Sequence, residues 1–260
     1  MKKGLIALVL ILGVVYLAIS KMNSSVDLAS TEEEESYTPH TFANSSPQKN
    51  PAPVAVASEA RIEEFREMTV ADPYYAHNAY LKPFMSDESV AKSFYKAKDL
   101  FKESPNAEQI AVWIAMGHIM DSNPAYGELL EYSMNKINEN SRVNLSIFEN
   151  ATRSLTPDDS FVRSQLLNIV NQMSVPPEDK VHFFGKEISR PASLDAEGRW
   201  SPDSLNITTA LVFLKNNNAP REDVVEYMKD SLRVNQSPVI KGKLLTRFGA
   251  YFPDALEDLR

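Results

Sequence analysis

The stretch TPDDSFVRSQLLNIVNQM, residues 156–173, shows in one place the pattern that predicts the fold of the whole chain. It begins with Thr156-Pro157, a pair suited to a helix N-terminus because the threonine oxygen can accept from a free backbone N–H and proline lacks one. Apolar side chains then recur three and four residues apart. They form a single stripe of Val162, Leu166, Ile169, Val170 and Met173. The stretch therefore predicts an amphipathic helix over 157–174 with one buried face.

The same kind of start recurs along the chain. Capping residues followed by proline are found at Ser104-Pro105, Asn123-Pro124, Ser201-Pro202 and Ser237-Pro238. Weaker starts are the prolines Pro177, Pro220 and Pro253, and the capping serines Ser58, Ser86 and Ser141, which lack the proline. Together these signals predict helices over 59–69, 73–82, 87–103, 105–122, 124–139, 142–154, 157–174, 177–189, 202–216, 220–234, 238–251 and a short one at the end.

The regular spacing of these helices predicts the fold class. Paired, they repeat every ~36–40 residues, a length between the tetratricopeptide and HEAT classes of α-solenoid, although the tetratricopeptide side-chain pattern is missing. Ile110–Met116 and Ala210–Leu214 are apolar almost all round, which predicts two central helices. We therefore expect an all-α domain over 59–260 whose short antiparallel helices stack as in a solenoid or form an irregular bundle.

The N-terminus predicts export. Lys2 and Lys3 precede Gly4–Ile19, a segment without charge, which is typical of a signal peptide or a signal-anchor helix. As a helix it is about 24 Å long, near the lower limit for a bilayer core of about 30 Å, while Ala18-Ile19-Ser20 fits a cleavage site. Residues 1–21 are thus a cleaved signal or an anchor. The domain is expected outside the cytoplasm, held at a bacterial inner membrane or, after cleavage behind Ser20, periplasmic or secreted.

Residues 22–58 have the composition of a tether. Glu32–Glu35 and four prolines lie among Ser, Thr, Asn and Ala, and such a segment cannot bury a core. Proline-rich chains stay extended at about 3 Å per residue. The segment is either a spacer of up to about 100 Å or a disordered leader whose length has no role.

Charge and composition exclude several classes of function. The net charge is −8, and the part beyond residue 58 carries −7 of it, so the surface repels phosphate backbones and nucleic-acid binding is not expected. The chain has no cysteine, which excludes thiolate metal sites and cysteine nucleophiles. The few glycines build no phosphate-binding loop, and the four histidines lack metal-ligand spacing. We expect neither a cofactor nor a metal.

The longest break in the helical pattern, 190–200, is the first candidate site. It gathers Asp195, Glu197, Arg199 and Trp200 beside a helix N-terminus, and long loops often carry function. Asp195 and Glu197 could be the paired carboxylates of a glycan-cleaving site, with Trp200 as a platform for the sugar. In the simpler interpretation this is a surface loop whose tryptophan packs ahead of Ser201, with Arg199 and Trp200 available for binding.

A second candidate is an aromatic cluster on the predicted helix 73–82. Its members are Tyr74, Tyr75, His77, Tyr80 and, just after the helix, Phe84. Amphipathic aromatic residues are favoured contact residues in interfaces, so we expect a binding surface or a seal at the end of the helical stack. A third motif is His118, three residues before Asp121. The two side chains could orient each other for proton transfer, with His118 as the base. A histidine in this setting is more typical of a core residue.

These observations favour a non-catalytic protein of a bacterial cell envelope that binds another protein through a helical surface. The alternative is a hydrolase of cell-wall glycan or peptide that uses Asp195 and Glu197. A permanent subunit of a larger export or surface machine would have the same sequence features. The identity of the protein partner and the oligomeric state are left open by the sequence.

Overall fold

The computed structural model describes residues 81–119 and 124–259, all within the compact unit Ala55–Arg260. The predicted export segment, the tether, helix 59–69, nearly all of helix 73–82 with its aromatic residues, and Asp121 lie outside the described residues. The α-helices are α1 (Glu88–Leu100), α2 (Ala107–Met116), α3 (Pro124–Glu139), α4 (Ser141–Thr152), α5 (Ser160–Gln172), α6 (Pro177–Ile188), α7 (Pro202–Asn216), α8 (Arg221–Val234) and α9 (Pro238–Tyr251). Three 3₁₀ segments are Lys82–Ser86, Pro157–Asp159 and Pro253–Leu259.

The described part is all-helical, as the sequence predicts. Within residues 81–119 and 124–259, the only β-type pairing is an isolated bridge between Leu194 and Trp200. None of the described helices combines the length and apolar character needed to cross a membrane.

Helix starts follow the predicted caps closely, with instructive exceptions. The α7 start is confirmed, since Ser201 Oγ accepts from the N–H of Ser204 at 3.3 Å. The predicted start at Ser104-Pro105 is wrong: Ser104 Oγ instead accepts from the Asn106 N–H at 2.9 Å and closes a turn, so the helix begins at Ala107. That helix also ends at Met116 rather than at 122, and the N–H groups of residues 117–119 instead donate to carbonyls three residues back.

Other starts shift by one to three residues. Asp87 replaces the predicted Ser86 as the cap of α1, and its carboxylate accepts from the N–H groups of Ser89 and Val90. Asn140 rather than Ser141 precedes α4. Thr156-Pro157 opens a 3₁₀ turn with a capping box, and the α-helix proper follows from Ser160.

The predicted apolar stripes form the core. The five residues of the α5 stripe are all buried, as are all seven residues from Ile110 to Met116. In α7, Ala210, Leu211 and Leu214 are buried while Val212 and Phe213 are half-buried. α2 therefore lies at the centre of the core, and α7 is packed on several sides, because it contacts α5, α6 and α9.

The order of helix contacts is regular in the C-terminal half. The neighbouring pairs α5–α6, α6–α7 and α8–α9 are in contact, and α5 contacts α7, α6 contacts α8, and α7 contacts α9. Side-chain pairs also join alternate helices: Glu149–Lys186 joins α4 and α6, Arg163–Asp203 joins α5 and α7, and His182–Tyr227 joins α6 and α8. At the N-terminal side α1 and α2 both pack on α5.

Two glycines allow helices to approach closely. A Cβ atom on Gly185 in α6 would lie 2.2 Å from the ring of Tyr227 in α8. One on Gly117, just after α2, would lie 2.5 Å from the Gln165 side chain in α5. Both contacts join segments that are far apart in sequence; a side chain at Gly185 would displace the Tyr227 ring, whereas at Gly117 it would displace the flexible end of Gln165.

Candidate functional site

The 190–200 loop lies above a buried network of four charged side chains. Arg163 of α5 donates from Nε to Asp203 of α7 at 2.9 Å and from Nη1 to Glu187 of α6 at 3.1 Å. Arg190, the first residue of the loop, pairs with the Asp203 carboxylate, and its Nε lies 3.3 Å from Glu187 Oε2. The network therefore joins three helices and the start of the loop.

Arg163 is fully engaged. Besides both carboxylates, its guanidinium donates to the backbone carbonyls of Leu155 at 3.0 Å and Thr152 at 3.3 Å, which lie at the end of α4. Two arginines and two carboxylates balance in charge, and such hydrogen bonding is what makes burial of ions tolerable. Burial lowers the pKa of Arg190 from its ordinary value and the charge of Arg163 adds to this, while Glu187 and Asp203 act in the opposite direction.

The loop itself is a short reversal of the chain held by backbone hydrogen bonds. The Ser201 N–H donates to the Ser193 carbonyl at 3.1 Å, and the Asp195 N–H donates to the Arg199 carbonyl at 2.8 Å. Gly198 has φ of 77°, a left-handed conformation that favours glycine, so it makes the tight turn possible. The predicted break in the helical pattern is thus an ordered loop of defined shape.

Asn235 connects the loop to the end of α8. Its side-chain oxygen accepts from the Ala192 N–H at 2.7 Å, and its amide donates to the Arg190 carbonyl at 3.2 Å. Asn235 is itself buried. Arg190 and Asn235 therefore both hold the loop in place. The spacing of these two residues in the sequence does not reveal that they act together.

Asp195 and Glu197 both bind Arg199. Arg199 Nε donates to Asp195 at 2.9 Å and Arg199 Nη2 donates to Glu197 at 3.1 Å. Slight desolvation acts to raise the pKa of Asp195, but hydrogen bonds from the Arg199 backbone and guanidinium and from the Glu197 N–H outweigh it, and the pKa lies below its ordinary value. The general acid of a glycan-cleaving pair needs a raised pKa, so Asp195 does not suit that role.

The two residues predicted for binding differ in their surroundings. Trp200 is half-buried and packs against the hydrophobic core, so one part of its ring remains at the surface. Arg199 is exposed beside it. Together they give the loop an amphipathic rim next to the N-terminus of α7, which suits contact with another protein.

His118 has a partner that the sequence does not indicate. Its Nε2 lies 2.8 Å from Ser93 Oγ in α1, and its ring stacks on Phe161 of α5 with centroids 3.5 Å apart. Burial lowers the pKa of His118, and the nearby charge of Asp87 opposes that shift. The ring thus links α1, α5 and the chain after α2 as a neutral contact, and Ser93 itself is buried.

The remaining predicted residues are not brought to this loop. Tyr74, Tyr75, His77 and Tyr80 lie outside the described residues, so their placement against Trp200 stays a prediction. Among the described residues no group of His, Asp and Glu has the arrangement of a metal site. No protein-family model, curated protein or solved structure matches this chain.

Proposed function

We propose that the chain is a non-catalytic protein-binding domain of a bacterial cell envelope, whose helical hairpins stack in the manner of an α-solenoid. The contacts between alternate helices from α5 to α9 carry this proposal. In a solenoid each hairpin packs on the next and creates a broad surface of helix faces and loops. An irregular bundle has no reason to repeat the same contact order.

Side-chain pairs between successive hairpins support the stacking. They join residues about one hairpin apart, as in Ser104–Asn144 at 2.6 Å, Asn206–Ser160 at 3.0 Å and Asn217–Asn171 at 3.1 Å. The first and last of these join two side chains, and in the second the Asn206 amide donates to the Ser160 backbone carbonyl. The same register recurs along the chain and so favours an extended array of hairpins over a single closed layer.

The proposed binding surface is the rim formed by Arg199 and Trp200. The loop is held by Asn235 and by the buried network under Arg190, so it loses little conformational entropy when a partner binds. Half-buried tryptophan and exposed arginine are the residue types that carry most of the binding energy in protein interfaces. The partner is a protein of the envelope.

The N-terminal segment gives the domain its location in this proposal. Residues 1–21 direct export, 22–58 serve as the tether, and the domain faces the periplasm from the inner membrane or is released by cleavage behind Ser20. N-terminal sequencing of the protein isolated from membranes distinguishes the two. A reporter fused to the C-terminus that is active only in the cytoplasm would contradict both.

The binding proposal is tested by photocrosslinking in the native cells. A photoreactive amino acid at Ala196, at the tip of the loop, should trap one discrete partner, while the same group at Lys92 on α1 should not. Trp200→Ala should weaken the capture about tenfold, and Tyr95→Ala, which removes an equally large exposed ring elsewhere, should leave it unchanged. Equal labelling from both positions, or no labelling above a control carrying only residues 1–58, would contradict the proposal.

A further inference from the structure

Helix α9 has an outward face that no other described segment of the chain covers. Leu244 and Phe248 on its inner side are buried, whereas Val239 on the opposite side is 59% exposed and a Cβ on Gly242 would meet no atom within 4 Å. Thr246 continues the exposed face. Val239, Gly242 and Thr246 on this face carry no charge.

Basic residues border that face. α9 contains Lys241, Lys243 and Arg247 and has no carboxylate in its sequence. Lys241 lies 3.4 Å from the Gln236 side chain, and none of the three forms an ion pair within the described part of the chain. In a chain of net charge −8, this helix is a local region of positive potential that attracts an acidic surface.

An acidic groove lies beside it, between α8 and the 3₁₀ segment Pro253–Leu259. The groove encloses about 590 Å³ and is lined by Glu222, Val225, Glu226, Lys229 and Asp258. Asp258 is paired with Arg221 at 2.9 Å at the edge. Glu222 and Glu226 have no ion pair among the residues that the structure describes, and with Asp258 they outnumber Lys229, so the lining carries a net negative charge.

We propose that two copies of the chain associate reciprocally, with the outward face of α9 of each copy seated in the acidic groove of the other. The face supplies Val239 and small residues that let a helix approach closely, and Lys243 and Arg247 lie opposite Glu222 and Glu226. α8 and α9 are in contact, so the two complementary surfaces are neighbours on one molecule. A two-fold axis then uses both surfaces twice and closes the assembly.

Charge complementarity selects the second copy over other occupants. Two molecules of net charge −8 repel each other on most of their surfaces, and the α9 face against the groove is a pairing of opposite sign. Electrostatic matching fixes which surfaces meet and in which register. The inference goes beyond the proposed binding function and does not depend on the 190–200 loop, because neither surface includes it.

The test uses full-length chains carrying two different affinity tags, co-expressed and extracted in detergent. Wild-type chains should co-purify. Lys243→Glu/Arg247→Glu makes both surfaces acidic, and Glu222→Lys/Glu226→Lys makes both basic, so each double variant should lose co-purification with itself by about tenfold or more. When the two variants are mixed, the acidic α9 face of one meets the basic groove of the other, and the basic face meets the acidic groove. Co-purification of the two variants should therefore be restored.

The matched control reverses two exposed lysines outside both surfaces, Lys92→Glu/Lys215→Glu, and should co-purify like the wild type. The altered side chains are at the surface or half-exposed, and unchanged helix content by circular dichroism checks that the variants fold. If they do not, the single changes Arg247→Glu and Glu226→Lys give the same matched test. Co-purification should also weaken with added salt, since exposed charges are screened.

The proposal is overturned if the reversed variants pair with themselves as well as the wild type does, or if mixing them restores nothing. It is also overturned, in favour of an anionic membrane as the occupant, if Lys243→Glu/Arg247→Glu leaves co-purification intact but abolishes sedimentation with phosphatidylglycerol vesicles. Wild-type chains that do not co-purify at all would equally exclude it.

Discussion

Two arginines of this protein make the same contact in opposite surroundings. Arg163 Nε lies 2.9 Å from Asp203, and Arg199 Nε lies 2.9 Å from Asp195. The side chains of the first pair are 5% and 8% exposed, whereas Arg199 is 57% exposed. Equal distances therefore describe very different interactions, because burial decides what each charge would lose if its partner were removed.

The difference follows from solvation. An exposed ion whose partner is removed is resolvated by water, so surface pairs contribute little to stability. A buried ion in the same position has no water to replace the lost partner, and the cost of the remaining charge falls on the folded state. The Arg163 network therefore holds α5, α6 and α7 together, while the Arg199 pairs shape only the surface of the loop.

The largest effect is expected for Arg163→Ala. The change leaves the buried carboxylates of Glu187 and Asp203 with Arg190 as their one remaining positive partner in the network, and two backbone carbonyls lose their donor. The free energy of unfolding should therefore fall by about 3–5 kcal/mol. Urea denaturation followed by circular dichroism measures it. A loss no greater than that of Arg199→Ala would show that burial does not separate the two pairs.

Asn235→Ala tests the connection between the two regions. The half-buried Ala192 N–H loses its acceptor, and the cost should be about 1–3 kcal/mol of unfolding free energy. Hydrogen exchange should quicken at Ala192 and Ser193 in particular. Gln236→Ala, at the exposed neighbouring position, serves as the control and should change neither quantity. Unaltered exchange in the loop would mean that Arg190 alone holds it.

His118 extends the comparison to a buried group that is neutral. Because its pKa is lower in the folded chain than its ordinary value of 6.5, the unfolded chain binds the proton more readily. Stability should therefore fall as the pH drops below about 6.5 and stop falling once the folded-state pKa has been passed. His118→Gln can still contact Ser93 but does not titrate.

Thermal denaturation from about pH 8 to about pH 5 compares His118→Gln with the wild type. The variant should lose less stability on acidification than the wild type does. If both curves have the same slope, groups other than His118 cause the acid sensitivity.

The smallest effect is expected for Arg199→Ala. Its loss of stability should be at least about fivefold smaller than that of Arg163→Ala, and it should shrink further in high salt because exposed charges are screened. Chemical denaturation at low and high salt measures both. A large loss that salt does not reduce would contradict the view that this pair is a surface interaction.

The sequence predicted more of the fold than of the site. The helix bounds 124–139, 202–216 and 238–251 agree with the structure, because capping and periodicity depend on neighbouring residues. The start at Ser104-Pro105 was wrong because the Ser104 hydroxyl also donates to Asn144, forty residues away. Local signals cannot register a competing partner of that kind.

The loop 190–200 was identified as a break in helical periodicity, but its support was not. Arg163, Glu187, Arg190 and Asp203 occur on four separate segments and have no spacing that distinguishes them from surface charges. The Ser93–His118 contact likewise joins residues far apart in the chain. Such groups could have been suspected only as charged or polar residues on otherwise apolar helix faces.

Composition, caps and periodicity by themselves determined that this protein is helical, where most of its described helices begin, and which stripes are buried, since each of these properties is set within a few turns of the chain. The tertiary structure alone decided which arginine is buried, which helices meet across a hairpin, and which face of α9 is left uncovered. Those outcomes depend on the packing of distant segments, and the energy of a charge depends on the solvent that this packing excludes.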